Sequence, residues 1–237
     1  MLLSTAYFPP VTWFALALKD LTLSPDRVLP FRICLEACEN YQKQSYRNRC
    51  YILASDGPQM LQVPVLHRMA APAEEVSLPE AFARIGSRSD ASGRETSAAT
   101  RSIRSIGVDY STPWVLRTQR ALDTAYETSA FYEYYRDQVF ALLDRQPQTL
   151  WELNLSTIRW ALQALGVPCS PEATTSFAVP GTVADDFRYA VHPKLPPVLP
   201  EKPYYQVFRD RLECFTPGLS VIDLIFNEGP GALTFIR

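Results

Sequence analysis

Apolar and polar positions follow two different periods along this chain. Short apolar runs bounded by turn residues predict strands at residues 2–4 and 31–38, whereas Pro10 follows a loop and can open a helix that reaches about residue 18. The order strand, loop, helix, strand is typical of a βαβ-type opening, because a crossover helix connects parallel strands. We therefore expect a partly parallel sheet in which the first loop lies near the end of the neighbouring strand.

A β-hairpin is predicted next. The strand patterns of residues 49–54 and 60–65 flank Ser55-Asp56-Gly57-Pro58, and an Asp-Gly turn between alternating apolar positions is a hairpin signal. The alternation fits a sheet that is buried on one face only. Residues 103–108 and 177–180 are two further candidate strands.

Helical periodicity dominates the second half of the chain. Apolar residues recur at spacings of three and four over residues 114–126, 130–145 and 149–165, which predicts three helices. The predicted fold class is therefore α/β. A mixed, partly parallel sheet is opened by a strand-loop-helix-strand unit and is followed by a mainly helical C-terminal half.

Three pairs of residues predict where helices begin. Thr112-Pro113 has a threonine cap followed by proline at the first helical position. Thr149 with Glu152, and Ser220 with Asp223, have the spacing of a capping box. The second box starts a further helix that ends before residue 229.

Residues 69–105 differ in character from both halves. Alanine, serine, proline, glutamate and arginine dominate this stretch, lysine is absent, and the apolar positions have no clean period. Such a composition is typical of a segment that cannot bury a core. We predict a mobile, disordered insertion at about residues 69–105 in a chain that otherwise forms one domain over residues 1–237.

Composition narrows the classes of function. The 237 residues carry a net charge of −2, so no basic field favours nucleic acid as a partner. No continuous apolar run is long enough for a transmembrane helix, and the N-terminus has no basic region before its apolar residues, so a cytoplasmic protein is expected. The five cysteines include no CxxC pair, which predicts no metal site, and no sequence motif identifies a cofactor.

The densest group of polar side chains lies at residues 41–50, which we call the central motif. Its candidate ligand-binding residues are Tyr41, Lys43, Tyr46, Arg47, Asn48 and Arg49. Strand alternation would place the three cations on one face. Guanidinium groups match both phosphate and carboxylate geometry, so an anionic-ligand surface and a structural ion-pair network are both open interpretations.

A second group of polar side chains occupies residues 185–194, which we call the second cluster. It contains Asp186, Arg188, His192 and Lys194, and His192 is one of two histidines in the chain. We expect the central motif and the second cluster to meet across a shared hollow. The βαβ opening would place Tyr7 beside the central motif, although a packing role for this aromatic side chain is the alternative.

Several blocks of the sequence resemble the WbqC-like family. They are residues 3–10, the central motif preceded by Asn40, Trp114, residues 125–126 and 131–135, and the C-terminal blocks at residues 186–194, 204–208 and 219–227. The version here resembles the Bacteroidetes-type branch, although the histidine that many relatives carry shortly after the tryptophan is absent. The resemblance implies a role in surface-polysaccharide or O-antigen biosynthesis, and for relatives a transferase activity on a nucleotide-linked amino sugar. It implies no catalytic residue.

The leading hypothesis is an N-acyl or aminoacyl transferase whose partner is a sugar nucleotide or another anionic small molecule. Lys43, Arg47 and Arg49 would hold the pyrophosphate, and Tyr41, Tyr46 or Trp114 would stack on a base or sugar. His192 would deprotonate a sugar amine, with Asp186 or Asp223 orienting it. The other candidate contacts are Tyr7, Asn48, Arg188, Lys194 and Asn227. The alternative hypotheses are a non-catalytic binding or assembly protein of the same pathway, and a nucleotidyl-handling enzyme.

Overall fold

A three-stranded parallel sheet stands at the centre of the first half of the protein. The structure is a computed structural model that describes residues 1–21, 23–24, 27–28, 32–66 and 102–236. Strand β4 (Cys34–Leu35) lies between β1 (Leu2–Leu3) and β9 (Glu172–Ala173). Helix α1 (Val11–Ala17) connects β1 to the part of the chain that leads to β4. The predicted strand-loop-helix-strand opening and the partly parallel sheet are confirmed.

The strand predicted at residues 31–38 is much shorter than expected. Only Cys34–Leu35 is a strand, and residue 31 lies outside the described residues. The strand ends because Glu36 turns its carboxylate toward Thr174 and toward the backbone N–H groups of Cys38 and Ala178. A two-stranded antiparallel pair, β2 (Leu23–Ser24) and β3 (Arg27–Val28), precedes β4.

The predicted hairpin is confirmed. Strand β5 (Arg49–Ala54) pairs antiparallel with β6 (Gly57–Gln62), and Gly57 has a φ of 125° that favours glycine at the turn. Strand β7 (Val65–Leu66) pairs with β8 (Gly107–Val108). The candidate strand at residues 103–108 is therefore only partly correct, because Ile103–Ser105 forms a 3₁₀ helix before β8 begins.

Three helices of the second half follow the predicted periodicity. They are α2 (Trp114–Tyr126), α3 (Tyr132–Asp144) and α4 (Leu150–Ala164). The capping box of Thr149 and Glu152 is confirmed. The predicted cap of α2 is wrong: Pro113 occupies the cap position without a side-chain bond, and the Trp114 N–H bonds to the carbonyl of Thr112 instead.

The C-terminal helices α6 (Val221–Glu228) and α7 (Leu233–Ile236) complete the core. They and α5 (Arg209–Leu212) follow a long irregular stretch, with a 3₁₀ helix at Gly229–Gly231. Only half of the second predicted capping box forms, because Ser220 accepts from Ile222 while Asp223 is engaged elsewhere. Phe226 of α6 packs edge-on against Tyr126 and Tyr132, with ring centroids 5.1 and 5.0 Å apart.

Two further predictions concern a strand at residues 177–180 and an insertion at residues 69–105. The candidate strand at residues 177–180 is wrong, because the strand of that region is β9, a few residues earlier. Most of the insertion predicted at residues 69–105 lies outside the described residues, and that prediction stays open. In the described part of the chain, no helix has the length and apolar character needed to cross a bilayer.

Candidate functional site

The carboxyl ends of the parallel strands carry the polar residues of the site. Ser4 follows β1, Glu36 follows β4, and Arg188 follows a backbone bridge between Asp186 and Leu2. A 2.8 Å backbone hydrogen bond on each side of Leu2 holds this bridge. Because parallel strands end at the same edge of a sheet, their following residues are brought together.

Arg47 of the central motif is buried, and all three of its guanidinium nitrogens donate hydrogen bonds. Its Nε donates to Glu39 at 3.0 Å, and its Nη2 donates to the other Glu39 oxygen and to Ser4 Oγ. Its Nη1 donates to Gln42 at 3.2 Å. The side chains of Arg47 and Glu39 are only 5% and 2% exposed. A buried guanidinium group that is hydrogen-bonded in this way stabilises the motif itself.

The strand alternation predicted across the central motif is wrong. Residues 41–48 form turns, and the strand begins only at Arg49. Gln44 has a φ of 58°, and Ser45 Oγ donates to the Gln42 carbonyl at 2.7 Å. A strand would have placed Arg47 and Arg49 on one face, whereas the turns let Arg47 reach inward to Glu39.

Arg188 of the second cluster is also buried between acids. Its Nη1 donates to Glu36 at 3.0 Å, and its Nε and Nη2 donate to the two oxygens of Asp186 at 2.9 and 2.6 Å. Its guanidinium carbon lies 4.9 Å from the ring centroid of Phe177 and 5.7 Å from that of Tyr189. The side chain is 0% exposed. Arg188 is therefore positioned as a structural cation.

The central motif and the second cluster meet, as expected. Ser4 Oγ accepts from Arg47 and lies 2.8 Å from the carbonyl oxygen of Arg188, so one hydroxyl contacts both. Lys194 Nζ donates to Gln44 Oε1. Tyr46 lines both hollows at the junction, which have cavity volumes of about 10 and 30 Å³. Because about 10–15 Å³ holds one water molecule, a ligand would lie across this surface and not inside it.

Three cations of this surface have no acid partner among the described residues. No carboxylate of residues 1–21, 32–66 and 102–236 lies within ion-pair distance of Lys43, Arg49 or Lys194. The Nε of Arg49 is buried and has no hydrogen-bond partner there. We call the surface formed by Tyr46, Arg49, His192 and Lys194, together with the exposed Lys43 next to Gln44 in the sequence, the cationic cleft.

The positive charge of the cationic cleft affects the pKa of His192. Burial lowers the pKa of His192, and the charges of Lys194, Arg47 and Arg49 lower it further. Its Nδ1 accepts from the backbone N–H of Lys194 at 3.2 Å. The imidazole is therefore neutral with its proton on Nε2, and in this tautomer it is a hydrogen-bond donor to a ligand.

The two predicted acidic partners of His192 are bonded elsewhere. Asp186 accepts three hydrogen bonds from Arg188, which lower the pKa of its carboxyl. Asp223 is buried in α6 and accepts from Tyr126 at 2.7 Å and from Tyr204 at 2.8 Å. Burial raises the pKa of Asp223 to about 6. Neither carboxylate hydrogen-bonds to His192.

The predicted aromatic contacts divide into accessible and buried side chains. Tyr41 and Tyr46 are half-buried, and the charges of Arg49 and Arg47 act on the Tyr41 hydroxyl. Tyr7 lies beside the central motif through a 2.9 Å bond from its N–H to the Tyr46 carbonyl, but its ring is fully buried. Trp114 is 4% exposed and packs against Tyr7 with ring centroids 6.5 Å apart.

The two predicted asparagines are structural in their contacts. Asn48 Nδ2 donates to the Val63 carbonyl at 2.9 Å, which fixes the start of the hairpin. Asn227 Nδ2 donates to the Asp223 carbonyl at 2.8 Å, one turn back on α6. Both side chains are buried.

Sequence reasoning missed the acids and the hydroxyl that hold the two arginines. Glu36, Glu39 and Ser4 were not among the predicted site residues, yet they position Arg47 and Arg188. A signal existed for Glu39, which stands at the entry to the central motif. A buried arginine requires an acid partner, so each arginine near an apolar run points to such a residue.

The comparison with known families gives a match over part of the chain. The sequence model of the WbqC-like protein family matches residues 94–189. This part of the chain is similar to the WbqC-like protein family. The match includes α2, α3, α4 and β9 together with Asp186 and Arg188, whereas the central motif lies outside it. No curated protein and no solved structure matches the chain. The Bacteroidetes-type branch stays a prediction.

Proposed function

We propose that this WbqC-like protein binds a sugar nucleotide in the cationic cleft and transfers an N-acyl or aminoacyl group to its amino sugar. The observation that supports the proposal most strongly is the buried, unpartnered Nε of Arg49 among cations without acid partners. An unsatisfied buried donor is costly unless a ligand supplies the acceptor. A phosphate oxygen is an acceptor of the required charge.

The proposed role of each side chain in ligand binding depends on its exposure to solvent. The half-buried Arg49 side chain would turn toward the surface to donate to the pyrophosphate from its guanidinium fork, and Lys43 and Lys194 would add charge from the exposed surface. The half-buried ring of Tyr46 would pack against the sugar. Arg47 and Arg188 would contribute positive potential without contacting the ligand, since both guanidinium groups are buried and paired with carboxylates.

The transfer step requires an amine without its ammonium proton. The amine nitrogen attacks the carbonyl carbon of the donor, the N–C bond forms, and the donor's leaving group departs as the amine proton is removed. His192 is neutral but has Nδ1 bonded to the Lys194 N–H, so its free Nε2 carries a proton. A role as the base therefore requires that this bond opens and the tautomer changes. Without that change, His192 would donate to a phosphate or carbonyl oxygen.

A non-catalytic binding or assembly protein of surface-polysaccharide biosynthesis is the second candidate. It is favoured by a specific observation, namely that Asp186, Asp223 and His192 Nδ1 all have partners that occupy them. On this reading the cationic cleft binds the same ligand, but none of these three side chains is available as a base.

Calorimetric titration with UDP- and dTDP-linked amino sugars tests the binding proposal. Saturable binding with a Kd that rises with salt is expected, because phosphate contacts to cations are screened. Absence of binding by every amino-sugar nucleotide would contradict the proposal.

Incubation of the bound protein with acyl and aminoacyl donors separates the two candidate functions. Formation of an N-acylated sugar nucleotide, detected by mass spectrometry, would establish transfer. Loss of this product in His192→Ala, with product retained in the matched exposed variant Arg120→Ala, would assign His192 to the step. Tight binding without product from any donor class would favour the binding protein.

A further inference from the structure

A larger, mainly apolar cavity lies between helix α1 and helix α7. It has a cavity volume of about 490 Å³, within the size range of about 300–1,000 Å³ typical of small-molecule sites. Helix α1, helix α7 and the extended residues 199–202 form its walls. We call it the α1 cavity.

The apolar residues of α1 that line the cavity lie on one face of the helix. Val11, Ala15 and Leu18 are spaced by four and three positions, so they share one face at α1 and its C-cap. Phe235 and Ile236 of α7 and Leu199 with Pro200 line the cavity as well. Residues of this type bury hydrocarbon and offer it no hydrogen bonds.

Two lysines at the rim give the α1 cavity a positive edge. Lys19 Nζ already donates to Asp185 at 2.6 Å. Lys202 is exposed, and its Nζ donates only to the Thr234 carbonyl at 3.3 Å; no carboxylate of the described residues lies within ion-pair distance of it. Lys202 is therefore available to an anionic group that enters beside the apolar walls.

The third charged side chain of the cavity is turned away from the rim. The Glu201 carboxylate accepts from the backbone N–H of Gly218 at 3.1 Å, and burial raises its pKa. Glu201 also lies close enough to Tyr46 for its charge to act on that hydroxyl. Because Tyr46 belongs to the cationic cleft and Glu201 lines the α1 cavity, the two sites are near each other at these residues.

We propose that the α1 cavity binds the acyl chain of an amphiphile with an anionic head group, with Lys202 contacting the head group. The apolar walls favour a hydrocarbon chain, and the lysine at the rim favours a negatively charged head group. The link to acyl transfer rests on the proposed function: the cleft would hold the amino-sugar acceptor, and the α1 cavity would hold the chain of the acyl donor.

Titration of the full-length protein with decanoate, below its micelle concentration, tests the proposal. Decanoate is expected to bind saturably and to raise the melting temperature, because a ligand of the native state stabilises it. Decyltrimethylammonium, which has the same chain and the opposite charge, is expected to bind about tenfold more weakly. Equal affinity for the two amphiphiles, or no binding of decanoate, would overturn the proposal.

Two variants locate the binding in the α1 cavity. Ala15→Trp fills the space between the walls and should weaken decanoate binding at least about tenfold. Its matched control is Ala164→Trp, at a similarly half-buried alanine of α4 outside the cavity. Lys202→Glu changes an exposed side chain, so it should leave folding intact while weakening decanoate binding and strengthening that of the cationic amphiphile. Unchanged decanoate affinity in Lys202→Glu would contradict the proposal even if Ala15→Trp fails to fold.

The two proposals fail in distinguishable ways. Ala15→Trp should retain wild-type affinity for UDP-linked amino sugars, because the cationic cleft is untouched. Decanoate binding without sugar-nucleotide binding would leave the cavity assignment standing and remove the proposed acceptor. Sugar-nucleotide binding without decanoate binding would remove the acyl-chain site alone.

Discussion

The cations at the junction of the central motif and the second cluster form two sets with opposite surroundings. Arg47 and Arg188 are buried, and Glu39, Glu36 and Asp186 neutralise them. Arg49 and Lys194, only two and six positions away, have no acid partner among the described residues. Basic residues that are neighbours in the sequence can therefore have different roles, and each must be assigned separately. The acid that each side chain reaches decides whether it stabilises the fold or is free for a ligand.

The largest effect that tests this comparison is expected at Arg188. Arg188→Met would leave Glu36 and Asp186 as unpaired carboxylates next to the sheet, and removal of one partner of a buried ion pair costs about 3–5 kcal/mol. Urea unfolding should show this loss of unfolding free energy, while Arg120→Met, at an exposed position of α2, should change it by less than about 0.5 kcal/mol. A small change for both variants would mean that Arg188 is not structural.

A pH effect at Asp223 sharpens the comparison, because this buried acid has tyrosines and no cation as partners. Its pKa of about 6 in the folded protein lies above the value of about 3.9 for an unfolded chain. The folded state therefore binds more protons between these values, and its stability falls as the pH rises from about 4 to above 6. Two pKa units correspond to about 3 kcal/mol.

The Asp223 effect is isolated by a neutral variant. The unfolding free energy of Asp223→Asn minus that of the wild type should increase by about 2–3 kcal/mol between pH 4 and pH 7. The difference removes contributions from other titrating groups. A difference that stays constant over this range would show that Asp223 has an ordinary pKa in the folded protein.

Arg49 should behave in the opposite way to Arg188. Arg49→Ala removes no ion pair, so the unfolding free energy should change by less than about 1 kcal/mol. Loss of a charge-assisted hydrogen bond costs about 1.5–3 kcal/mol, so the Kd for a UDP-linked amino sugar should rise at least about tenfold. Arg49→Lys retains charge and should recover part of this affinity. A destabilised protein with unaltered affinity would place Arg49 in the structural set.

The smallest effect is expected at Lys194. Removing its charge in Lys194→Ala should raise the pKa of His192 toward its ordinary value, because Lys194 is one of three cations that lower it. The pKa should stay below that value, since burial is the larger cause. NMR titration of the His192 imidazole measures its pKa in the wild type and in Lys194→Ala. A fall in the pKa of His192 in this variant would contradict the assignment of charge to the cationic cleft.

The helices were predictable because local pattern and burial agree there. The bounds of α2 match the predicted ones, and α4 has both its capping box and its apolar stripe. The turns of residues 41–48 were not predictable from alternation, because a buried carboxylate from outside the turns, Glu39, draws Arg47 inward. The short β4 has the same cause, since Glu36 finds Arg188 more than 150 positions away in the chain.

The sequence allowed us to predict that the two polar segments meet, but not the role of each side chain in them. The carboxyl edge of a parallel sheet brought the central motif and the second cluster together, as topology requires. The partner of each charged group depends on distances between remote segments, which no spacing encodes. Asp223 illustrates this, because the Tyr126 and Tyr204 hydroxyls that hold it come from α2 and from the irregular stretch before α5.

The most direct test of the account is an NMR spectrum of the arginine Nε–H groups during titration with a UDP-linked amino sugar. The Arg49 signal, assigned by its loss in Arg49→Lys, should shift as its unpartnered donor gains a phosphate acceptor. The signals of Arg47 and Arg188 should stay in place, because their carboxylate partners do not change. A shift of the Arg47 or Arg188 signals with Arg49 unmoved at saturation would contradict the division of the cations into two sets.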